Sequence, residues 1–236
     1  MNFEDSLIYF TGLINSSNNF ALARYGDGEI ALMENQGISR QTQAFNQDRW
    51  DAPAKATKLG KKLTESLNHE EDNYYYGIPG KNDSLEAYEY LTALIPSLNI
   101  TYANLFVNAN YERTKDFFKS LKKSITLIGN KRGNVDLLPF HVDIFCAFPD
   151  DCVNWWEKGG DDFIKTLQKY VATTNNETFF LSIGPAAEVA IHEMYKVNPN
   201  NQYVDIGSAI DEWFYTTQTR PYMDNNSTYA SHSSTF

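Results

Sequence analysis

The sequence predicts an α/β domain with a mostly parallel sheet and helices on both faces. Short β-branched and aromatic runs alternate with amphipathic helical patterns along the chain. The last third repeats this most clearly. Residues 178–184 read as a strand ending on glycine, 185–195 as a helix with Pro185 in its first turn, and 202–207 as the next strand. Strand, helix and strand at these lengths make a βαβ unit. Strands ending on glycine at 129, 184 and 207 would place three loops at the carboxyl edge of the sheet, where such sheets bind ligands.

The other elements follow in chain order. Leu7, Ile8, Phe10, Leu13 and Ile14 recur at helical spacing and predict one amphipathic helix over 4–16. A polar turn at 15–19 leads to a strand at 20–25, a Gly-Asp-Gly turn and a helix from Glu29. Pro53 opens a helix near 53–68, and 72–78 is a strand stopped by Pro79-Gly80. Residues 83–94 form a helix capped by Ser84, followed by a strand at 101–107 and a helix at 112–121. A buried strand at 124–129, a second at 142–148 and a Trp-containing helix over 151–170 complete the series. No linker or internal repeat interrupts it, so 1–236 is one domain. Its tail, about 221–236, is rich in Ser, Thr and Asn and reads as a mobile segment or a lid.

Composition narrows the function. A chain of 236 residues that is 42% hydrophobic and 14% aromatic has ample material for a core. A net charge of −10 and a pI near 4.8 argue against nucleic acid and against charge-driven membrane binding. Lys119, Lys122 and Lys123 fit an exposed helix face. Cys146 and Cys152 are too few for a thiolate metal site, and the four histidines are scattered at 69, 141, 192 and 232. There is no basic leader, and no run approaches the roughly 18 apolar residues of a membrane span. The expectation is a soluble, cytoplasmic protein with reduced thiols and no membrane span. Its oligomeric state is left open.

The segment Arg24-Tyr25-Gly26-Asp27-Gly28-Glu29 carries the most chemistry. Glycines on both sides of Asp27 permit a sharp turn that aims Asp27 and Glu29 at one point. Mg²⁺ and Mn²⁺ favour oxygen ligands, and Mg²⁺ characteristically takes one or two carboxylates together with substrate phosphates. Arg24 adds a fork of donors suited to phosphate. The competing reading makes Asp27 a helix cap, but a capping box would then require Glu or Gln where Ile30 stands. A metal–diphosphate site is therefore preferred.

Three further segments converge on a nucleotide in this reading. Gly184-Pro185-Ala186 opens a helix, so its N–H groups would face an anion, although a single glycine is not the dinucleotide fingerprint. Gly129-Asn130-Lys131-Arg132-Gly133 offers cations on flexible backbone, or else is a solvated turn. Asn108 and Asn110 end a strand, where amides read bases or simply make turns. After the last strand, Asp205, Asp211 and Glu212 form a second acidic group beside Trp213, Phe214 and Tyr215. Glu212 could act as a general base with aromatic faces for sugar rings. On the residues alone, an amphipathic helix with solvated acids and core aromatics is favoured. His141, His192 and Glu188 are read as structural, with His192 on the outward face of its helix.

These segments in this order resemble the GT-D-type glycosyltransferases, a family first named as a domain of unknown function. The match comprises Arg-Tyr-Gly-Asp-Gly-Glu, Asn-x-Asn-Tyr, Ile-Gly-Pro-Ala and Asp-Ile-Gly-x-x-x-x-Glu, and runs from about 18 to 216. The resemblance implies a Rossmann-like sheet in which Asp27 and Glu29 bind a divalent metal, Mn²⁺ or Mg²⁺, that holds the diphosphate of a UDP-sugar. It places Gly184, Pro185, Gly129 and Asn130 at the nucleotide and makes Glu212 a candidate base. With Arg24, Tyr25, Gly26, Asn108, Lys131 and Ser208 these form the expected donor site. Ser208 stands where the family often has His, which bears on acceptor activation more than on donor binding. The expected partners are a UDP-sugar donor and a glycan acceptor. Two other functions compete: a metal-dependent phosphohydrolase or nucleotidyltransferase using the same carboxylates, and a non-catalytic carbohydrate-binding module.

Overall fold

A computed structural model describes residues 1–34, 58–96 and 98–236. Seven strands make one sheet in which every pairing is parallel: β1 (Phe20–Arg24), β2 (Tyr74–Ile78), β3 (Ile100–Tyr102), β4 (Ile125–Asn130), β5 (Val142–Phe148), β6 (Thr178–Ser182) and β7 (Gln202–Asp205). Their order is β3-β2-β1-β7-β6-β4-β5, so the two halves of the chain meet at the β1–β7 pair.

Helices cover both faces because successive strand residues point to opposite sides. Along β1, Phe20 and Leu22 enter one core while Ala21 and Ala23 enter the other. The first core is closed by α1 (Phe3–Asn15), α5 (Tyr111–Ser120) and the short α8 (Asp211–Phe214). The second is closed by α2 (Asp27–Met33), α3 (Lys58–Glu65), α4 (Leu85–Leu94), α6 (Cys152–Val171) and α7 (Ala187–Val197). Ala21 and Ala23 leave room for α7 to pack closely on β1.

Local chemistry explains most boundaries. In α1, Phe3, Leu7, Phe10 and Ile14 are fully buried, each contributing about 1.5–3 kcal/mol. Ile8, expected on that face, points to solvent instead. Ser84 caps α4, its Oγ accepting from the Ala87 N–H at 3.2 Å. The strand expected over 101–107 stops at Tyr102. From Ala103 the chain turns at the sheet edge, with the Leu105 N–H returning to the Tyr102 carbonyl. α3 lies within the helix expected near 53–68, whose opening at Pro53 falls outside the described residues. Among the described residues no helix is long and apolar enough to cross a membrane.

The 221–236 segment lies across the ends of β2 and β3. Phe236 stacks on Tyr102 at 4.1 Å between ring centroids, and Asn82 holds Ser233 and Thr235 through backbone contacts.

Candidate active site

Every strand delivers a residue from its carboxyl end to one cleft. The contributions run Gly26 after β1, Pro79 after β2, Ala103 after β3, Asn130 of β4, Phe148 of β5, Ile183 after β6 and Gly207 after β7. The cleft measures about 1130 Å³. Sites for a single small ligand run from roughly 300 to 1,000 Å³, so the cleft stands at the large end of that range.

Arg24 sits at the β1–β7 meeting point and is almost wholly buried. Its Nε donates to the Asp205 carbonyl at 2.8 Å and to Asp205 Oδ2 at 3.0 Å, and its Nη1 donates to the Ala103 carbonyl at 2.7 Å. Asp205 is held from its other side by the Gly207 N–H, at 2.8 Å from Oδ1. Much of the fork expected for phosphate is thus committed to the protein. Gly207 is required here, since its φ is +51° and a Cβ would lie 2.2 Å from Arg24 Nη2.

The turn after β1 differs from the expectation. Helix α2 begins at Asp27, so Gly26 is its cap and Glu29 stands three residues on, where a capping acid belongs. Glu29 Oε2 accepts from the Gly26 N–H at 2.8 Å. Capping by Glu29 is real, contrary to the reading from spacing, which had placed the cap one residue too late. Capping and metal binding are compatible, because a carboxylate offers two oxygens and about four lone-pair sites. Asp27 is exposed at the cleft wall beside it.

The electrostatics are those of crowded acids. Burial pushes the Glu29 carboxyl up to about 7, assisted by Asp27 and Asp205 and opposed by the Gly26 hydrogen bond. Glu188, in the first turn of α7, is 2% exposed, lines the same cleft, and has one oxygen with no hydrogen-bond partner among the described residues. Burial and then the fields of Glu29 and Asp205 hold it well above the usual carboxylate range, with Arg24 opposing. Glu188 was read as structural. The signal that could have found it is a lone acid in the apolar run 187–191, just after the Gly-Pro loop.

The remaining predicted residues divide between cleft and scaffold. Asn108 reaches the cleft from a left-handed turn with φ +56°, and Gly184, at φ +58°, does so with open space around its Cβ position. Pro185 and Ser208 also line it, Ser208 Oγ lying 2.8 Å from the Tyr222 hydroxyl. Asn130 lines it while its amide donates to Asp150 at 3.0 Å. Tyr25 is not brought there: it is fully buried, its hydroxyl 2.7 Å from Ser66 Oγ. Lys131 points outward and pairs with Asp150 at 3.4 Å.

Gly129 lies behind the cleft, against the Phe214 ring. Glu212 faces away from the cleft, accepting from the Tyr111 hydroxyl at 3.0 Å with Lys115 Nζ 3.5 Å away. Its neighbour Asp211 lines the cleft instead, bonded by Thr219 Oγ1 at 2.5 Å. Arg220, just before the tail, and Tyr229, within it, join the walls. His192, expected outward, is buried with its Nδ1 2.8 Å from His69 Nε2.

The glycines at 129 and 133 make room for Phe214 rather than for a ligand. A Cβ at Gly133 would lie 2.0 Å from the Phe214 ring. Gly133→Ala is therefore expected to lower stability by about 1–3 kcal/mol through overpacking. A urea midpoint equal to the parent's would contradict that packing role.

The donor set suits a hard divalent cation. Among the described residues no group of three or more His, Cys, Asp or Glu is placed to hold a metal ion by itself. Carboxylate oxygens that burial, and then one another's fields, push toward the protonated form at Glu29 and Glu188 nevertheless fit Mg²⁺ or Mn²⁺ sharing its shell with substrate phosphates.

No family model and no curated protein matches the chain. Solved structures do match. A selenomethionine-substituted structure of domain of unknown function 1792 superimposes with a TM-score of 0.59 at 16% identity, over 94% of this chain and 83% of that one. A second, described as having a distinct glycosyltransferase fold, gives 0.57 at 16% identity over the same shares. A third, described as a new glycosyltransferase from Streptococcus sanguinis, gives 0.55 at 13% identity, over 94% of this chain and 86% of that one. The chain shares their α/β fold, as the motif order implied.

Proposed function

We propose that this chain is a metal-dependent glycosyltransferase of the GT-D type, moving a hexose or pentose from a UDP-sugar to a hydroxyl of a growing glycan in the cytoplasm. The observation that carries the reading is the group of carboxylates, Asp27, Glu29, Glu188 and Asp205, at the β1–β7 meeting point of a glycosyltransferase-like fold. Acids outnumber arginines on the cleft walls, so an anionic diphosphate requires a cation there. Asp27 and Glu29 would hold it, and when bound it would neutralise the charge that develops on the departing diphosphate. The turn leading into α7 offers the backbone N–H groups of Gly184 and Ala186 to the same phosphates, with Pro185, which has no N–H, fixing the turn. Arg132 and Arg220 add positive charge on the walls. Arg24 fixes Asp205 rather than gripping substrate.

The test is the thermal midpoint with UDP and UDP-sugars, with and without Mn²⁺. Saturation at about 100 times Kd adds about 2.7 kcal/mol, which is on the order of 5–10 °C for a domain of this size. No shift with any uridine nucleotide would move the reading to another donor or to the carbohydrate-binding module.

Metal binding should also depend on pH in a stated direction. Glu29 holds a proton below about 7, and metal must displace it. Mn²⁺ affinity in the presence of UDP is thus expected to fall by up to about tenfold per pH unit below that value and to level off above it. Calorimetric titration across this range checks it, and a flat profile would remove Glu29 from the ligand set.

A further inference from the structure

Glu212 faces away from the cleft, so transfer to a hydroxyl lacks the base that the sequence suggested. Two residues absent from every expectation stand in its place. His232, in the tail, and Asp83, just after β2, both line the cleft, with His232 Nε2 2.5 Å from Asp83 Oδ1. The Asp83 side chain is largely shielded, and its Oδ2 accepts from the Gly80 N–H at 2.7 Å, which fixes the carboxylate. A carboxylate has no proton to give, so Nε2 donates. In the neutral ring Nδ1 is then an acceptor, and no described residue occupies it. The ring is positioned by backbone as well, since the Ala109 N–H donates to the His232 carbonyl at 3.1 Å.

The surroundings suit a sugar. This half of the cleft, beyond β1 and away from the Gly184 loop, presents Tyr90 and Tyr229, the amides of Asn104 and Asn108, and the acids Glu34 and Glu86, while the Asn82 amide is taken up by the tail backbone. Flat aromatic faces, amides and hydrogen-bond-accepting carboxylates recognise the hydroxyls of a sugar, and the acids disfavour a negatively charged ligand. The carboxylates and arginines near β1 and β7 suit a metal–diphosphate. Asp211 is the competing base, but Thr219 already bonds its carboxylate, and imidazole is the side chain whose unperturbed titration lies nearest neutral pH.

We propose that the Asp83–His232 pair is the acceptor-activating dyad and that the β2–β3 half of the cleft is the acceptor-sugar subsite. The proposal rests on the glycosyltransferase reading. His232 Nδ1 takes the proton of the acceptor hydroxyl as its oxygen bonds to the anomeric carbon. The bond from that carbon to the diphosphate oxygen breaks, its electron pair leaves with UDP, and the imidazolium returns its proton to water. Asp83 is a positioning residue that holds the ring in the required tautomer.

The test measures UDP release from UDP-glucose, UDP-galactose and UDP-N-acetylglucosamine in Mn²⁺. Acceptors are water and the p-nitrophenyl glycosides of the same three sugars. UDP affinity is followed in parallel by calorimetry. His232→Gln, which keeps a donor for Asp83 and so keeps the tail in place, is expected to release UDP about 10²-fold or more slowly with UDP affinity unchanged. Added imidazole should restore at least about tenfold of the rate in His232→Ala, a rescue that a merely structural role would not show. Asp83→Asn should lower the rate without altering UDP affinity.

A His232→Gln rate within about threefold of the parent would overturn the dyad, as would absence of rescue. So would a parent chain that binds Mn²⁺–UDP yet releases none from any donor. Failure of the glycosyltransferase reading is recognised separately, by absence of Mn²⁺-dependent UDP binding in the parent.

Discussion

Asp27→Ala is expected to abolish the metal-dependent midpoint rise with UDP and to cut sugar transfer by on the order of 10²–10³-fold, while leaving the ligand-free protein as stable as before. The separation of the two effects follows from where Asp27 sits. It is exposed, and no described residue bonds or pairs with it, so its removal should change stability by no more than about 0.5 kcal/mol. Glu29 is different, because it also caps α2 through the Gly26 N–H. Its removal would confound folding with binding, and Asp27 is the better test. Turnover that survives in Asp27→Ala with metal present would refute the metal–diphosphate site.

Arg24→Met is expected to produce the largest loss of stability among single changes near the site. It removes the donors to the Asp205 side chain, to the Asp205 carbonyl and to the Ala103 carbonyl. It also leaves Asp205, 5% exposed, beside Glu188 and Glu29 with no other buried Lys or Arg among the described residues. Breaking a buried pair from one side costs about 3–5 kcal/mol, on the order of 10 °C in midpoint for a domain of this size. Were Arg24 chiefly a phosphate ligand, the substitution would weaken UDP binding and spare the midpoint. Thermal melts without ligand decide between the two, and a midpoint within about 2 °C of the parent would remove Arg24 from the scaffold.

Much of the architecture was legible because it depends on local periodicity. The 142–148 strand and the 151–170 helix were readable from apolar spacing, and the βαβ unit after 178 from its glycine and proline punctuation. Misreadings arose where a partner distant in sequence decides. Ile8 has helical spacing, yet the face it occupies meets solvent. The 101–107 run is apolar enough for a strand, but at the sheet edge its chain turns after Tyr102 and gives a carbonyl to Arg24. The Gly129–Gly133 loop reads in sequence as cations on flexible backbone or as a solvated turn, and in the fold its glycines accommodate Phe214.

The α/β class could be read from the chain alone, as could the closeness of Asp27 and Glu29 at the end of β1, since both are written in residues that are neighbours along the chain. Which acids share one field was settled by long-range packing. Glu188 and Asp205 join Glu29 because α7 and β7 are folded against β1, and burial there raises the cost of charge on Glu29 and Glu188. The same folding turned Glu212 outward to Tyr111 and carried His232 across the chain to Asp83. Distances between side chains far apart in sequence arise from packing, and periodicity along one element carries no information about them.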